Sequence, residues 1–214
     1  MTSWILLDVN ETLTDVVPIG EPWSRPELGS IVLGQAVHTA MVDALLHTPA
    51  RPFSDHLRAA IDVVVADRGL DPTGVEAAAA AAARLPPRPE AAEALQTLLH
   101  AGRRLVALTN SGASAGEATL RGCGLLGCVE RVLGVDAVQS FKPHPSVYAY
   151  ALAQIGADPA DVTLIATHPW DLAGAARAVR YPGCRDPGVR GWPAVFPTPN
   201  FRAENLRDLA QALV

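Results

Sequence analysis

The chain has 214 residues, 49% hydrophobic and 18% charged, which is enough for one well-filled core and a small second one, so disorder is not expected. Its net charge of −5, with Lys and Arg scattered along the chain, argues against nucleic acid or an anionic membrane as partner. Cys123, Cys128 and Cys184 are odd in number and lack metal-site spacing, which suits reduced thiols in a cytoplasmic protein; no secretory signal and no run of roughly 20 apolar residues is read.

In chain order, the first element is a short apolar strand, Ile5-Leu6-Leu7, that delivers Asp8, with Asn10 and Thr12 following at two and four residues. Pro18, Pro22 and Pro26 then break regular structure and suggest passage out of one domain. Apolar spacing from Ile31 to Leu46 predicts one or two helices ended by His47-Thr48-Pro49, and Phe53 to Arg68 predicts another, closed by Gly69. Asp71-Pro72 is a helix start for the alanine-rich stretch Ala77 to Ala83, which stops at Leu85 to Pro89. No strand is predicted between about Val16 and Pro89.

Beyond Pro89 helices and strands alternate. Glu90 to His100 reads as a helix, "RLVALTN" as a buried strand, Ser114 to Arg121 as a helix and Val129 to Leu133 as a strand. "HPSVYAYALAQIG" is a helix with its own Gly156 stop, "VTLIAT" a strand and "DLAGAARAV" the helix behind it. Alternation of this kind predicts an α/β fold, a Rossmann-like doubly wound parallel sheet that the first strand must join. The expected organisation is a core of residues 1–15 and 90–214 with an all-helical cap, 16–89, inserted after the first strand. From Tyr181 onward prolines and glycines leave the last strand unplaced, and an amphipathic helix follows from Glu204.

In open parallel sheets ligands bind beyond the carboxyl ends of the strands. Those ends carry Asp8, then Thr109-Asn110, then Thr167 to Asp171, with Lys142 in a loop that can reach the same edge. An acid, a hydroxyl, an amide, an ammonium and a second acid converge there.

These segments resemble the haloacid dehalogenase superfamily, and within it the type II 2-haloacid dehalogenases. "LLDVNETL" resembles the family's nucleophile motif, "LTNSG" the second motif, "FKPHPSVY" the lysine motif and "ATHPWDLAGA" the fourth, in family order across the whole chain. The resemblance implies Asp8 as nucleophile, with Thr12, Thr109, Asn110, Lys142 and Asp171 as the other catalytic residues. Val9, Asn10, Tyr148, His168 and Trp170 are the candidate substrate contacts: Trp170 as an apolar wall, His168 as a polar group at the pocket mouth, and Tyr148 as a substrate-side tyrosine or a packed one. For Asp171 the other reading is the N-cap of the following helix.

Superfamily phosphatases carry a second aspartate where this chain has Asn10, and an amide cannot protonate an alkoxide leaving group; a halide needs no proton. Magnesium favours carboxylate-anchored octahedral sites, and the fourth motif offers Asp171 without a second acid. No cofactor is therefore expected, with the alternative of Mg²⁺ held by Asp8, Asn10 and Asp171. Two family features are absent: the aromatic residue at Asn10, and the arginine expected near Thr39, whose bidentate guanidinium Thr or His does not readily replace. The nearest arginines are Arg25, in the proline-rich entry, and Arg51, in a loop, and His38 is read as a contributor or as a surface or packed residue.

The leading expectation is a hydrolase attacking carbon of a small-molecule substrate through Asp8. A magnesium-dependent phosphatase and a non-catalytic binding protein with the same fold stay open as alternatives. The alanine- and leucine-rich helices are compatible with a homodimer.

Overall fold

The computed structural model describes residues 3–46, 51–179, 181–185 and 192–214. At its centre is a six-stranded, wholly parallel sheet in the order β3-β2-β1-β4-β5-β6. Strand β1 (Trp4–Leu7) lies between β2 (Arg104–Thr109) and β4 (Val162–Ala166), with Ile5 opposite Leu105 on one side and Thr163 on the other. A strand covered on both faces must be apolar throughout, and the unbroken Trp-Ile-Leu-Leu run is why this segment takes the central place. Strand β3 (Arg131–Gly134) is one edge, while β5 (Tyr181–Arg185) and β6 (Phe201–Ala203) extend the other.

Helices cover both faces. On one side α4 (Ala91–His100), α5 (Ala113–Gly122) and α8 (Leu206–Ala212) lay Leu95, Leu98, Leu120 and Leu209 against Ile5, Leu7 and Leu105. On the other, α6 (Pro145–Ile155) and α7 (Pro169–Ala175) pack Val147, Ala151 and Leu172 against Leu6, Val106 and Leu164. That second cluster runs on into three helices between β1 and β2: α1 (Leu28–Leu46), α2 (Phe53–Asp67) and α3 (Val75–Ala82), which add Val32, Ala36, Phe53 and Ile61. The indole of Trp23 donates to the carbonyl of Asp71 at 2.8 Å, fastening the approach to this helical insertion onto the turn between α2 and α3.

The α/β doubly wound architecture is the one read from the sequence, with differences at particular elements. Residues 28–46 form one unbroken helix, α1, since nothing in that stretch removes a backbone donor; its expected stop at His47 to Pro49 lies outside the described residues. At 19 residues α1 is long and apolar enough to cross a membrane, contrary to the expectation that no segment approaches that length, and here it buries Val32, Leu33, Ala36 and Ala40 inside the fold. The proline-rich approach winds into two 3-10 turns, Val17–Ile19 and Glu21–Trp23. Asp71 caps a third 3-10 turn, Pro72–Gly74, through the Thr73 N–H, and α3 starts after it.

Helix α7 is only seven residues long and has His168, not Asp171, at its N-cap position. The tail contributes two strands, β5 and β6, where none could be placed: Gly183 pairs with Ile165 and Phe201, so glycine and proline are tolerated away from the sheet centre. Residues 186–191 and the side chain of Cys184 lie outside the described residues.

Candidate active site

Asp8 stands one residue past β1, and its N–H still donates to Ile165 of β4 at 3.0 Å, so the sheet fixes its backbone. The chain then doubles back tightly. The N–H groups of Leu13 and Thr14 both donate to the carbonyl of Val9, and Glu11 at the apex adopts a φ of 61°, a left-handed conformation that favours glycine. This turn brings the Thr12 hydroxyl back to donate to Asp8 Oδ2 at 2.6 Å. The same hydroxyl accepts the Thr167 N–H at 3.0 Å, tying the loop to the end of β4.

The second acid arrives on the first turn of α7. Asp171 is wholly buried; its Oδ1 accepts the Tyr148 hydroxyl at 2.6 Å, and its backbone carbonyl accepts the same hydroxyl at 3.0 Å. Between the two acids lies the Lys142 ammonium, also wholly buried, donating to Asp8 Oδ1 and Asp171 Oδ2 at 2.6 Å each. Asn110, at the end of β2, holds this lysine in place by accepting its backbone N–H at 2.8 Å.

Electrostatics follows from this packing. Burial works against the charge of Asp8, but the Lys142 ammonium, and His168 after it, hold the carboxyl well below the usual range, so it is ionised at any working pH. Burial, and then the neighbouring Asp8 charge, push Asp171 up against the opposing pull of Lys142. Lys142 is desolvated too, yet its two carboxylates keep it protonated.

A second pair adjoins the first. His168 Nε2 lies 2.7 Å from Oε2 of Glu11, whose Oε1 accepts the Ser30 hydroxyl of α1, and Nδ1 of the same ring faces Asp8 Oδ2 at 3.7 Å. Burial disfavours the charged imidazole, but Asp8 and Glu11 outweigh it and raise its pKa to about 9. Trp170 stacks on this ring with centroids 5.2 Å apart, and its own ring lies 6.0 Å from the lysine ammonium.

The structure therefore brings Asp8, Thr12, Lys142, Asp171, Tyr148 and His168 into one cluster, with Asn110 and Trp170 against it. Several candidates sit differently from their expected places. Val9 turns its side chain into the apolar core with Leu95 and Ile165, leaving only its backbone at the loop. Tyr148 is wholly buried under Asp171 and presents no substrate side. His168 is 7% exposed, so it is an inner residue of the cluster and not a group at a pocket mouth. The Thr109 hydroxyl accepts the Ser111 N–H at 3.1 Å and shapes the turn after β2. Asn10 is half-buried and pairs its backbone with Thr14.

His38 is exposed on α1, and Thr39 gives its hydroxyl to the Ala36 carbonyl at 3.0 Å. Arg25 pairs with Glu27, and Arg51 with the buried Asp43. Arg51 and Phe53 nevertheless line, with Asn110 and Phe141, a solvent-open cleft of about 550 Å³. One residue was missed in the sequence, Glu11, whose partner His168 is 157 positions away; Arg51 was noted there, but its place beside Asn110 only the fold creates. An acid at the apex of a turn three residues past the nucleophile position was the one available signal for Glu11.

A haloacetate dehalogenase H-2 of Moraxella sp. (strain B) is 32% identical over 101 residues, 47% of this chain and 45% of that protein. An (S)-2-haloacid dehalogenase of Xanthobacter autotrophicus is 35% identical over 92 residues, 43% of this chain and 36% of that enzyme, so the matched stretches span less than half of either relative. The crystal structure of an L-2-haloacid dehalogenase from Xanthobacter autotrophicus with chloropropionic acid covalently bound superposes with a TM-score of 0.86 over the whole chain and 98% of that structure, at 23% identity, which shows a shared fold. The haloacid dehalogenase-like hydrolase family model matches residues 2–178, and with that span the chain belongs to the haloacid dehalogenase-like hydrolases.

Proposed function

We propose that this hydrolase is a metal-independent dehalogenase of small 2-haloacids that works through an ester on Asp8. The observation that carries the reading is the buried lysine bridge. One ammonium sits between Asp8 and Asp171, and every oxygen of the two carboxylates is engaged by Lys142, Thr12 or Tyr148.

That donor set does not fit magnesium, which needs near-octahedral oxygen ligands at about 2.0–2.1 Å. The lysine ammonium already occupies the place between the two acids, and the amide Asn10 brings no third charge. A halide, unlike an alkoxide, departs without a proton, so the lack of an acid at Asn10 does not obstruct carbon displacement.

In this mechanism one oxygen of the ionised Asp8 attacks the halogen-bearing carbon in line. The carbon–halogen bond breaks with its electron pair on the halide, and an ester joins Asp8 to the substrate. Water then attacks the Asp8 carboxyl carbon, releasing a 2-hydroxy acid and one proton and restoring the carboxylate. The cleft beside Asn110 is the approach for substrate, and Arg51 at its rim attracts the substrate carboxylate in place of an arginine at position 39. The helical insertion acts as the cap that closes this approach, through Ser30 on Glu11 and Phe53 against Phe141.

The reading is tested by halide release from 2-chloro-, 2-bromo- and fluoro-carboxylates, with wild type and Asp8→Asn compared in chelator. Release that requires Asp8 and ignores the chelator is expected. Absence of halide together with magnesium-dependent phosphate release from phosphate esters would replace it with the phosphatase reading.

A further inference from the structure

Breakdown of an ester on Asp8 needs a base with an unengaged lone pair beside the ester, and Asp171 has both of its oxygens engaged. Asp171 is wholly buried, with one oxygen under the Tyr148 hydroxyl and the other on Lys142. Among the described residues, Nδ1 of His168 is buried with no hydrogen-bond partner and faces the oxygen of Asp8 that Thr12 holds. A buried ring nitrogen without a hydrogen-bond partner, aimed at the nucleophile position, calls for an explanation.

The rest of the ring is fixed. Nε2 is engaged by Glu11 at 2.7 Å, Glu11 is held by Ser30 and by its own left-handed turn, and Trp170 covers one face of the imidazole. A carboxylate on one nitrogen sets the tautomer and leaves the other nitrogen for chemistry, the arrangement by which acid–histidine pairs handle protons. A non-glycine residue kept at positive φ to place a buried carboxylate is backbone strain located at the site.

Resting on the dehalogenase reading above, we propose that His168, positioned by Glu11, is the general base that activates the water which hydrolyses the Asp8 ester. The distance of 3.7 Å from Nδ1 to Asp8 Oδ2 is too long for a hydrogen bond, so Nδ1 lies beside the Asp8 carboxyl without being tied to it.

The charges make the base available at the right moment. In the free enzyme His168 is protonated, because Asp8 and Glu11 both face it; the Lys142 ammonium lies on the other oxygen of Asp8. Ester formation removes the Asp8 charge, so the Nδ1 proton is released to solvent. Nδ1 then takes a proton from water as its oxygen bonds to the Asp8 carboxyl carbon. The bond from that carbon to the substrate oxygen breaks, and the leaving oxygen takes the proton from Nδ1 as the 2-hydroxy acid departs. The proton left on the regenerated Asp8 carboxyl returns to Nδ1.

The test is rapid-mixing halide release from a 2-chlorocarboxylate, with mass analysis of the Asp8 peptide, for wild type, His168→Asn and Glu11→Gln, each checked for folding by circular dichroism. The expected result for His168→Asn is a burst of about one halide per protein, steady turnover at least about 100-fold slower, and substrate-labelled Asp8. For Glu11→Gln, turnover survives and the acid limb of ester breakdown moves to lower pH, because the charge that raises the His168 pKa is gone. Burst-free turnover at wild-type rate in His168→Asn, or an unmoved acid limb in Glu11→Gln, would overturn the proposal. If His168→Asn does not fold, the acid limb of Glu11→Gln decides alone. Wild type that releases no halide and forms no ester defeats the dehalogenase reading itself, and this assignment falls with it.

Discussion

The Lys142 ammonium and Asp8 Oδ1 lie 2.6 Å apart with almost no solvent at either group, and the same ammonium lies 2.6 Å from Asp171. Removing one member of such a buried set leaves the others uncompensated, which destabilises by about 3–5 kcal/mol. Lys142→Met is therefore expected to lose stability of that order in urea unfolding, and to lose about 10²-fold or more in ester formation, since the charge opposing the acid pair is gone. Unfolding at wild-type denaturant concentration would contradict the bridge.

His168 and Asp8 give stability opposite pH dependences. The His168 pKa is raised from 6.5 to about 9 on folding, so its contribution is complete below pH 6.5 and is lost as pH rises through 9. The size is about 3 kcal/mol. Asp8 is depressed, so its contribution is present above its ordinary value of 3.8 and is lost as pH falls below that. Unfolding free energies at pH 6 and pH 9.5 should differ in wild type, and the difference should shrink in His168→Asn.

Gly174 lies where α7 meets the lysine loop. A Cβ there would come within 2.7 Å of the Tyr148 hydroxyl and 2.8 Å of the Pro143 carbonyl, so Gly174→Ala must displace the hydrogen bond that holds Asp171. The expected outcome is about 1–3 kcal/mol lower stability with reduced activity. Gly122→Ala, with nothing within 4 Å, should be neutral or stabilising by up to about 1 kcal/mol, and serves as control in the same melting experiment.

Arg51 is exposed at the rim of the cleft, and Asp43 holds it there. Arg51→Ala should raise KM for a 2-haloacid by about tenfold while kcat stays within about threefold, because uniform substrate binding is lost and the reacting groups are untouched. A fall in kcat with unchanged KM would remove Arg51 from substrate binding.

The central sheet was legible because β1, β2 and β4 are short, mostly apolar runs, each followed by polar residues that the parallel topology sends to one edge. Asp8 and Asp171 were legible for that reason, and Lys142 through the motif it shares with the family. The tail was not: β5 carries proline and glycine, and its pairing with β4 depends on neighbours that no local pattern shows. Tyr148 was readable only as substrate-side or packed, because helix spacing gives a face but not depth, and His168 was set at the pocket mouth because a loop position does not show that the ring turns inward to Glu11. Glu11 escaped notice because its importance lies in a backbone conformation and in a partner at the end of β4.

The central claim is that Asp8 carries the substrate as an ester that water opens at the carboxyl carbon. Single-turnover reaction with a 2-chlorocarboxylate in ¹⁸O-labelled water, followed by mass analysis of the peptide containing Asp8 and of the 2-hydroxy acid, tests it most directly. The label is expected in Asp8, with the product oxygen unlabelled in that first turnover. Label in the product and none in Asp8 would mean that water attacks the substrate carbon itself, and would contradict the account.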